Sequence, residues 1–249
     1  MNSNIRNTST IAKRELAGYF ASPVAFVFIV IFLLLCGFFT FMLGNFFARN
    51  EASLSAFFIW HPWLYMFLVP AAGMRLWAEE RRSGTLELLL TMPITPTQAI
   101  VGKFLAGWLF LGIALLLTFP MVITVAYLGN PDGGVVLTGY FGSFLVAGTY
   151  LSVSSMTSAM TRNQVVSFIT SVVICLLLIL AGWPPVTNLF LKWGAANWLV
   201  EAVSGLSVIF HYDAMQRGVL DIRDFFYFLS VMVFTLFVTG VILKSHRAG

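Results

Sequence analysis

The residues of this chain that could carry out chemistry are few and lie far apart. It has three histidines: His61, His211 and His246. They form no His-Glu-x-x-His pattern, and no serine lies in a Gly-x-Ser-x-Gly motif. Gly102-Lys103 is followed by Phe104 and lacks a glycine at position 97, so it does not match a phosphate-binding loop. We therefore predict no catalytic residue, metal ligand or cofactor in this chain.

Any uphill work would then need an ion gradient or a motor in another subunit. Ion-driven carriers place carboxylates or cations inside their membrane spans. Here all ten acidic residues lie at or beyond the ends of the apolar runs. The pattern disfavours ion coupling and favours an external motor. An intramembrane enzyme or ion-coupled carrier would depend on His61 alone, which is more simply interpreted as a packed or interfacial side chain.

Composition predicts the elements that position these residues. The chain is 59% apolar and only 10% charged, against about 25% charged in soluble domains. Its charge-free runs reach the roughly 20 residues that a membrane-spanning helix needs, and they lack the alternation of barrel strands. We predict an all-α membrane protein, a single transmembrane domain over 1–249, with six transmembrane helices at about 24–46, 57–78, 103–127, 136–160, 165–182 and 224–243.

Charge is distributed unequally between the two sides of these spans. With the N-terminus inside, ten of the 14 Lys and Arg residues lie in cytoplasmic segments, whereas six of the ten acidic residues lie outside. The positive-inside rule then predicts that both termini are cytoplasmic. The net charge of +4 follows from this topology, so we expect no nucleic-acid partner.

The most charged stretch, EERRSGTLELLLTMP at 79–93, follows the second span. We predict a cytoplasmic loop over 79–96 that contains a short helix, ended by Pro93 and kept from resuming by Pro96. Its predicted functional residues are Glu79, Glu80, Arg81, Arg82, Gly84, Thr85, Leu86, Glu87, Leu89 and Leu90. The three leucines share one helical face. A helix of eight residues, about 12 Å long, is unstable alone in water, so it must rest on a partner protein or on the membrane surface.

The N-terminal residues 10–22 have the pattern of an amphipathic helix lying at the inner membrane interface. Ala12, Leu16, Tyr19 and Phe20 share one face, and Lys13, Arg14 and Glu15 are predicted to lie away from it. Pro23 separates this helix from the first span.

Two further patterns concern packing. Gly148, Ser152, Ser155 and Ala159 follow one another at spacings of four, three and four, which predicts a face of small side chains that allows another helix to approach closely. Trp60, Trp63 and Trp77 are predicted to anchor the second span at the two membrane boundaries. Residues 183–223 are predicted to form a re-entrant or interfacial hairpin on the outer side before the last span.

The stretch 80–93 resembles the first cytoplasmic loop of type-2 ABC exporter permeases, in which an acidic-basic cluster precedes Gly-Thr, a glutamate, leucines and a proline. An interface helix, six spans and an outer hairpin follow the order of that family over nearly the whole chain. RGVLDIRDFFYFLS at 217–230 is similar to gliding-motility-type permeases within it.

The resemblance implies several partners. A homodimer, or a dimer with a similar permease, would bind a dimer of cytoplasmic ATPases, which hold the ATP and magnesium. The loop would be the coupling loop, with its helix in a groove of the ATPase, and the interface helix residues Lys13, Arg14, Glu15 and Tyr19 would contact the same subunit. A companion membrane protein with a large periplasmic domain and a bacterial inner-membrane location are also implied.

One alternative stays open at this point. The chain would then be a non-transporting membrane anchor or mechanochemical assembly component, whose partner ATPase acts on a periplasmic protein through 183–223. The sequence does not identify a cargo.

Overall fold

The architecture comes from a computed structural model, which describes residues 3–47, 53–85, 94–192, 194 and 196–245. Every regular element among these residues is helical. Besides a π-helical turn at Phe39–Leu43, the helices are α1 (Ser3–Ala21), α2 (Pro23–Phe38), α3 (Ser55–Phe58), α4 (His61–Gly73), α5 (Arg75–Ser83), α6 (Pro96–Leu116), α7 (Pro120–Leu128), α8 (Gly133–Met160), α9 (Gln164–Leu180), α10 (Pro184–Lys192), α11 (Asn197–Ser204), α12 (Val208–Gln216) and α13 (Ile222–Ser245).

Within the described ranges, five helical segments are long and apolar enough to cross a membrane: Pro23–Leu43, Ser55–Ser83, Pro96–Leu128, Gly133–Met160 and Ile222–Ser245. A sixth results if α9 and α10, which meet at an angle of 67°, count as one bent span. The prediction of an all-helical membrane protein is thus confirmed, with five or six candidate spans.

The helix of the third span begins earlier than predicted. Pro96 is the first residue of α6, whereas the sequence was interpreted as starting a span near 103. Thr95 and Gln98 form a capping box, in which each side chain accepts a hydrogen bond from the other residue's backbone N–H. Proline suits the first helical position because its missing N–H needs no partner there. Pro96 therefore starts a new helix here.

Helix α8 lies at the centre of the bundle. It packs against α4, α5, α6, α9, α12 and α13, and most of its residues from Gly142 to Ala159 are buried. Its many Gly, Ser and Thr residues explain this position, because small side chains let several neighbours approach its backbone.

The described residues of the segment 183–223 form three short helices, α10 to α12, of which α12 packs against α8. The Tyr212 hydroxyl contacts that of Ser143 at 2.8 Å and donates to the Phe58 carbonyl at 3.1 Å. One side chain thereby joins α12 to α8 and α3. By contrast, α10 and α11 contain no buried residue.

Candidate functional site

One end of the bundle collects several cationic side chains, and we call it the basic end. It contains Arg81, Arg82, Lys103, Arg162 and Lys244. Helices α1, α5, α6, α8 and α13 meet there. Arg81 contacts Ala159, Lys103 contacts Glu15, and Gly240 lies close to Ile100.

The second candidate span is interrupted at Met74, where α4 ends and α5 begins. Pro70, inside α4, lacks an N–H and already weakens this helix. The hydroxyl of Ser158 on α8 repairs the break: it accepts from the N–H groups of Trp77 and Ala78, both at 3.0 Å, and donates to the Met74 carbonyl at 2.8 Å. A side chain inserted into the backbone ladder is a recognised cause of helix bending.

Helix α5 is also held against α8 by two of its side chains. The Trp77 indole N–H donates to the Ser155 hydroxyl at 3.0 Å, and Arg81 donates to the Ala159 carbonyl at 2.5 Å. Trp77 is only 1% exposed. Its predicted role as a membrane-boundary anchor is therefore wrong: the small side chains of α8 leave room for the indole, so Trp77 packs inside the protein.

We expect the substitution Ser158→Ala to destabilise the protein by about 1–2 kcal/mol, because it leaves two buried N–H groups and a carbonyl without their partner. Thermal unfolding in detergent, followed by tryptophan fluorescence, would measure the loss. Ser230→Ala is the matched control, since Ser230 is exposed and bonds only within α13. Equal unfolding temperatures for the two variants would contradict the bridging role.

Three charged residues of the basic end form what we call the ion cluster: Glu15 on α1, Glu80 on α5 and Lys103 on α6. The Lys103 ammonium lies 2.8 Å from Glu80 Oε1 and 3.4 Å from Glu15 Oε2. Its side chain is only 7% exposed, and it lies 5.4 Å from the centre of the Trp77 ring, a favourable cation–π contact. A lysine this deep needs paired charges, and it receives them from two other helices. The cluster therefore ties three helices together.

Such a cluster can hold helices together and bind charged groups. No group of three or more His, Cys, Asp or Glu residues within the described ranges could hold a metal ion. Comparison with known proteins gives the context. A sequence model of the ABC-2 family transporter proteins matches residues 9–243.

The chain belongs to the ABC-2 transporter family. As a member it is a multi-pass membrane protein of the permease type, a class that is normally non-catalytic and pairs with an ABC ATPase. No curated protein matched the chain in a sequence comparison.

The predicted coupling loop of this ABC-2 chain is described only in part. Glu79, Glu80, Arg81 and Arg82 lie in the last turns of α5 and so belong to the helix of the second span rather than to a loop. Gly84 ends α5 with a φ of 72°, a left-handed conformation that glycine adopts without strain. Thr85 is exposed. The predicted residues Leu86, Glu87, Leu89 and Leu90 lie outside the described residues.

Helix α1 is longer than the predicted interface helix at 10–22, and it packs chiefly along α6. Lys13 and Arg14 are exposed. Glu15, which was predicted to lie away from the apolar face, turns towards Lys103 in the ion cluster. Tyr19 stacks on Phe110 at 4.9 Å, and burial raises the pKa of its hydroxyl, with a further increase from Glu15. The face of α1 that carries Glu15 and Tyr19 therefore packs against α6.

The predicted small-residue face of α8 contacts several helices rather than one. Gly148 lies against Trp108 and Met232, on α6 and α13. Ser152 donates to the Thr149 carbonyl inside α8, whereas Ser155 and Ala159 contact α5 as described. Sequence reasoning missed Ser158 and Lys103, because their partners lie far away in the sequence. The residues that Ser158 contacts lie 80 or more positions away, and Lys103 pairs with Glu15 across 88 positions.

His61, the residue that left a proton role open, is fully buried. Its Nδ1 lies 3.0 Å from the Phe57 carbonyl, and its ring packs against those of Phe32, Phe57, Phe58 and Tyr65. No carboxylate or cation contacts it among the residues the structure describes. These surroundings favour a packing role.

Proposed function

We propose that this chain is the membrane subunit of an ATP-driven exporter, powered by a separate ATPase dimer that docks at the basic end. The ATPase holds the ATP and magnesium, and the segment 79–96 is its docking segment. Family membership supports the partnership. The excess of Lys and Arg at this end supports a cytoplasmic location for it and for both termini, in a bacterial inner membrane.

The ion cluster is the observation that carries the coupling proposal. Glu80 lies five residues before Thr85, the last residue described ahead of the predicted docking helix. Lys103 links this carboxylate to Glu15 on α1 and belongs itself to α6. A force applied to the docking segment would therefore act on three helices at once. In a dimer of two such subunits, this motion would shift the two halves against each other.

Photo-cross-linking tests the docking proposal. A benzoylphenylalanine introduced at Glu87 should capture an ABC ATPase in the native membrane, identified by mass spectrometry, because the docking helix would lie in a groove of that subunit. The control position is Leu137, which is 74% exposed at the opposite end of α8. Capture of an ATPase equally from both positions, or from neither, would argue against docking through the loop.

A second function has one observation in its favour. Within α10 and α11 no residue is buried, and Trp198 and Leu199 are 68% and 45% exposed. Such an apolar surface fits a companion protein with a large periplasmic domain, through which the chain would act mechanically rather than export a substrate. This companion, the homodimer and the gliding-motility-type subgroup all remain predictions.

A further inference from the structure

A groove of about 550 Å³ runs between α1, α2, α6 and the joined helices α4 and α5. Its size lies in the usual range of small-molecule sites. At the basic end it is lined by five charged residues: Glu15, Arg75, Glu79, Glu80 and Lys103. The rest of the lining is almost entirely apolar. The groove thus has a charged end and an apolar body.

The groove changes from charged to apolar along the direction in which the spans cross the membrane. Helix α2 leads away from the basic end and lines the groove with Val24, Val27 and Ile31, each between 43% and 55% exposed. On the other wall the lining runs from Leu68 to Glu79, a path of about 16 Å at helical rise. An amphiphile with its head at the membrane surface and a chain pointing inwards has the same arrangement.

At the charged end, groups of both signs lack a protein partner among the described residues, two of them exposed and one buried. Arg75 and Glu79 make no side-chain hydrogen bond or ion pair within the part of the chain that the structure describes. Glu80 uses Oε1 for Lys103, whereas its Oε2 is buried without a hydrogen-bond partner among the same residues. A buried carboxylate oxygen without a donor is costly. A ligand that fits must offer an anion to Arg75 and an N–H donor to the glutamates.

We propose that this groove binds one membrane phospholipid whose head group carries a phosphate and a primary ammonium, as in phosphatidylethanolamine. The phosphate pairs with Arg75, and the ammonium donates to Glu79 and to Glu80 Oε2. Phosphatidylcholine has the same charges, but its quaternary ammonium has no N–H to donate. The acyl chain lies against α2 and α4. This site needs no ATPase and goes beyond the proposed export function.

Native mass spectrometry of the purified protein tests the assignment, with dioleoyl phosphatidylethanolamine and dioleoyl phosphatidylcholine supplied in equal amounts. The wild type should retain the ethanolamine lipid about tenfold more strongly, the difference expected for one charge-assisted hydrogen bond. The N,N-dimethylated lipid, with one N–H left, should bind at an intermediate level. Arg75→Ala and Glu79→Gln should each weaken retention about tenfold.

Arg82→Ala is the matched control, because Arg82 is an exposed cation of the same helix that does not line the groove. It should retain the lipid like the wild type. Unfolding temperatures near that of the wild type would show that Arg75→Ala and Glu79→Gln are folded. Equal retention of the two lipids by the wild type, or an equal loss with Arg82→Ala and Arg75→Ala, would overturn the proposal. Failure of the ATPase cross-link would leave it unaffected.

Discussion

Replacing Lys103 by methionine should destabilise the protein by about 3 kcal/mol, because breaking a buried ion pair leaves uncompensated charge. The loss of the ammonium leaves the Glu15 and Glu80 carboxylates facing each other near a buried site. The cation–π contact with Trp77 is lost as well. Unfolding of the purified protein in detergent, followed by tryptophan fluorescence, would measure the effect.

Two further variants separate the ion cluster from the general loss of a basic residue. Lys244→Met removes an exposed cation of the basic end and should change stability little. The triple variant Glu15→Gln, Glu80→Gln, Lys103→Met removes all three charges and should regain most of the stability, since a neutral site leaves no charge unpaired. A Lys103→Met protein as stable as Lys244→Met would show that the cluster does not hold the helices together.

The membrane architecture could be predicted because it depends on local sequence. The thickness of the hydrocarbon layer sets the length of a span, and a long run without charge therefore identifies one wherever it packs. The helix ends were harder to predict. The charges at 79–82 mark where apolar sequence stops, but α5 continues to Ser83, because Gly84 rather than the charge ends the helix. Pro96 was interpreted only as a residue that keeps the preceding short helix from resuming, but its position after Thr95 also makes it the first residue of α6.

The contacts of the candidate site could not be predicted in the same way. The residue type and the position of Trp77 are those of a boundary anchor. Only the small side chains of α8, near residue 155, make room for it inside the protein. Glu15 and Lys103 each look like one more charge at a membrane boundary. Their meeting depends on α1 lying along α6, which no local pattern specifies. Tertiary packing, rather than sequence periodicity, therefore determines which of these side chains meet.

Replacing Gly148 by leucine should destabilise the protein by about 3 kcal/mol through overpacking. A Cβ at this position would lie 2.7 Å from Trp108 Nε1 and 3.0 Å from Met232 Sδ. The methionine can move, but the indole is fixed: it stacks on Phe144 at 4.4 Å and donates to the Phe144 carbonyl at 2.8 Å. The added side chain must therefore separate α8 from α6, which thermal unfolding in detergent would report as a lower midpoint.

Two alanine variants should change the stability of the protein in opposite directions. Gly148→Ala should still destabilise, by about 1 kcal/mol or more, although alanine favours a helix over glycine by a similar amount. Gly37→Ala should instead stabilise by about 0.5–1 kcal/mol, because Gly37 lies inside α2 with nothing within 4 Å of an added Cβ. If both alanine variants were stabilised, backbone propensity would outweigh packing at Gly148, and α8 would not be held against α6 by close approach at this glycine.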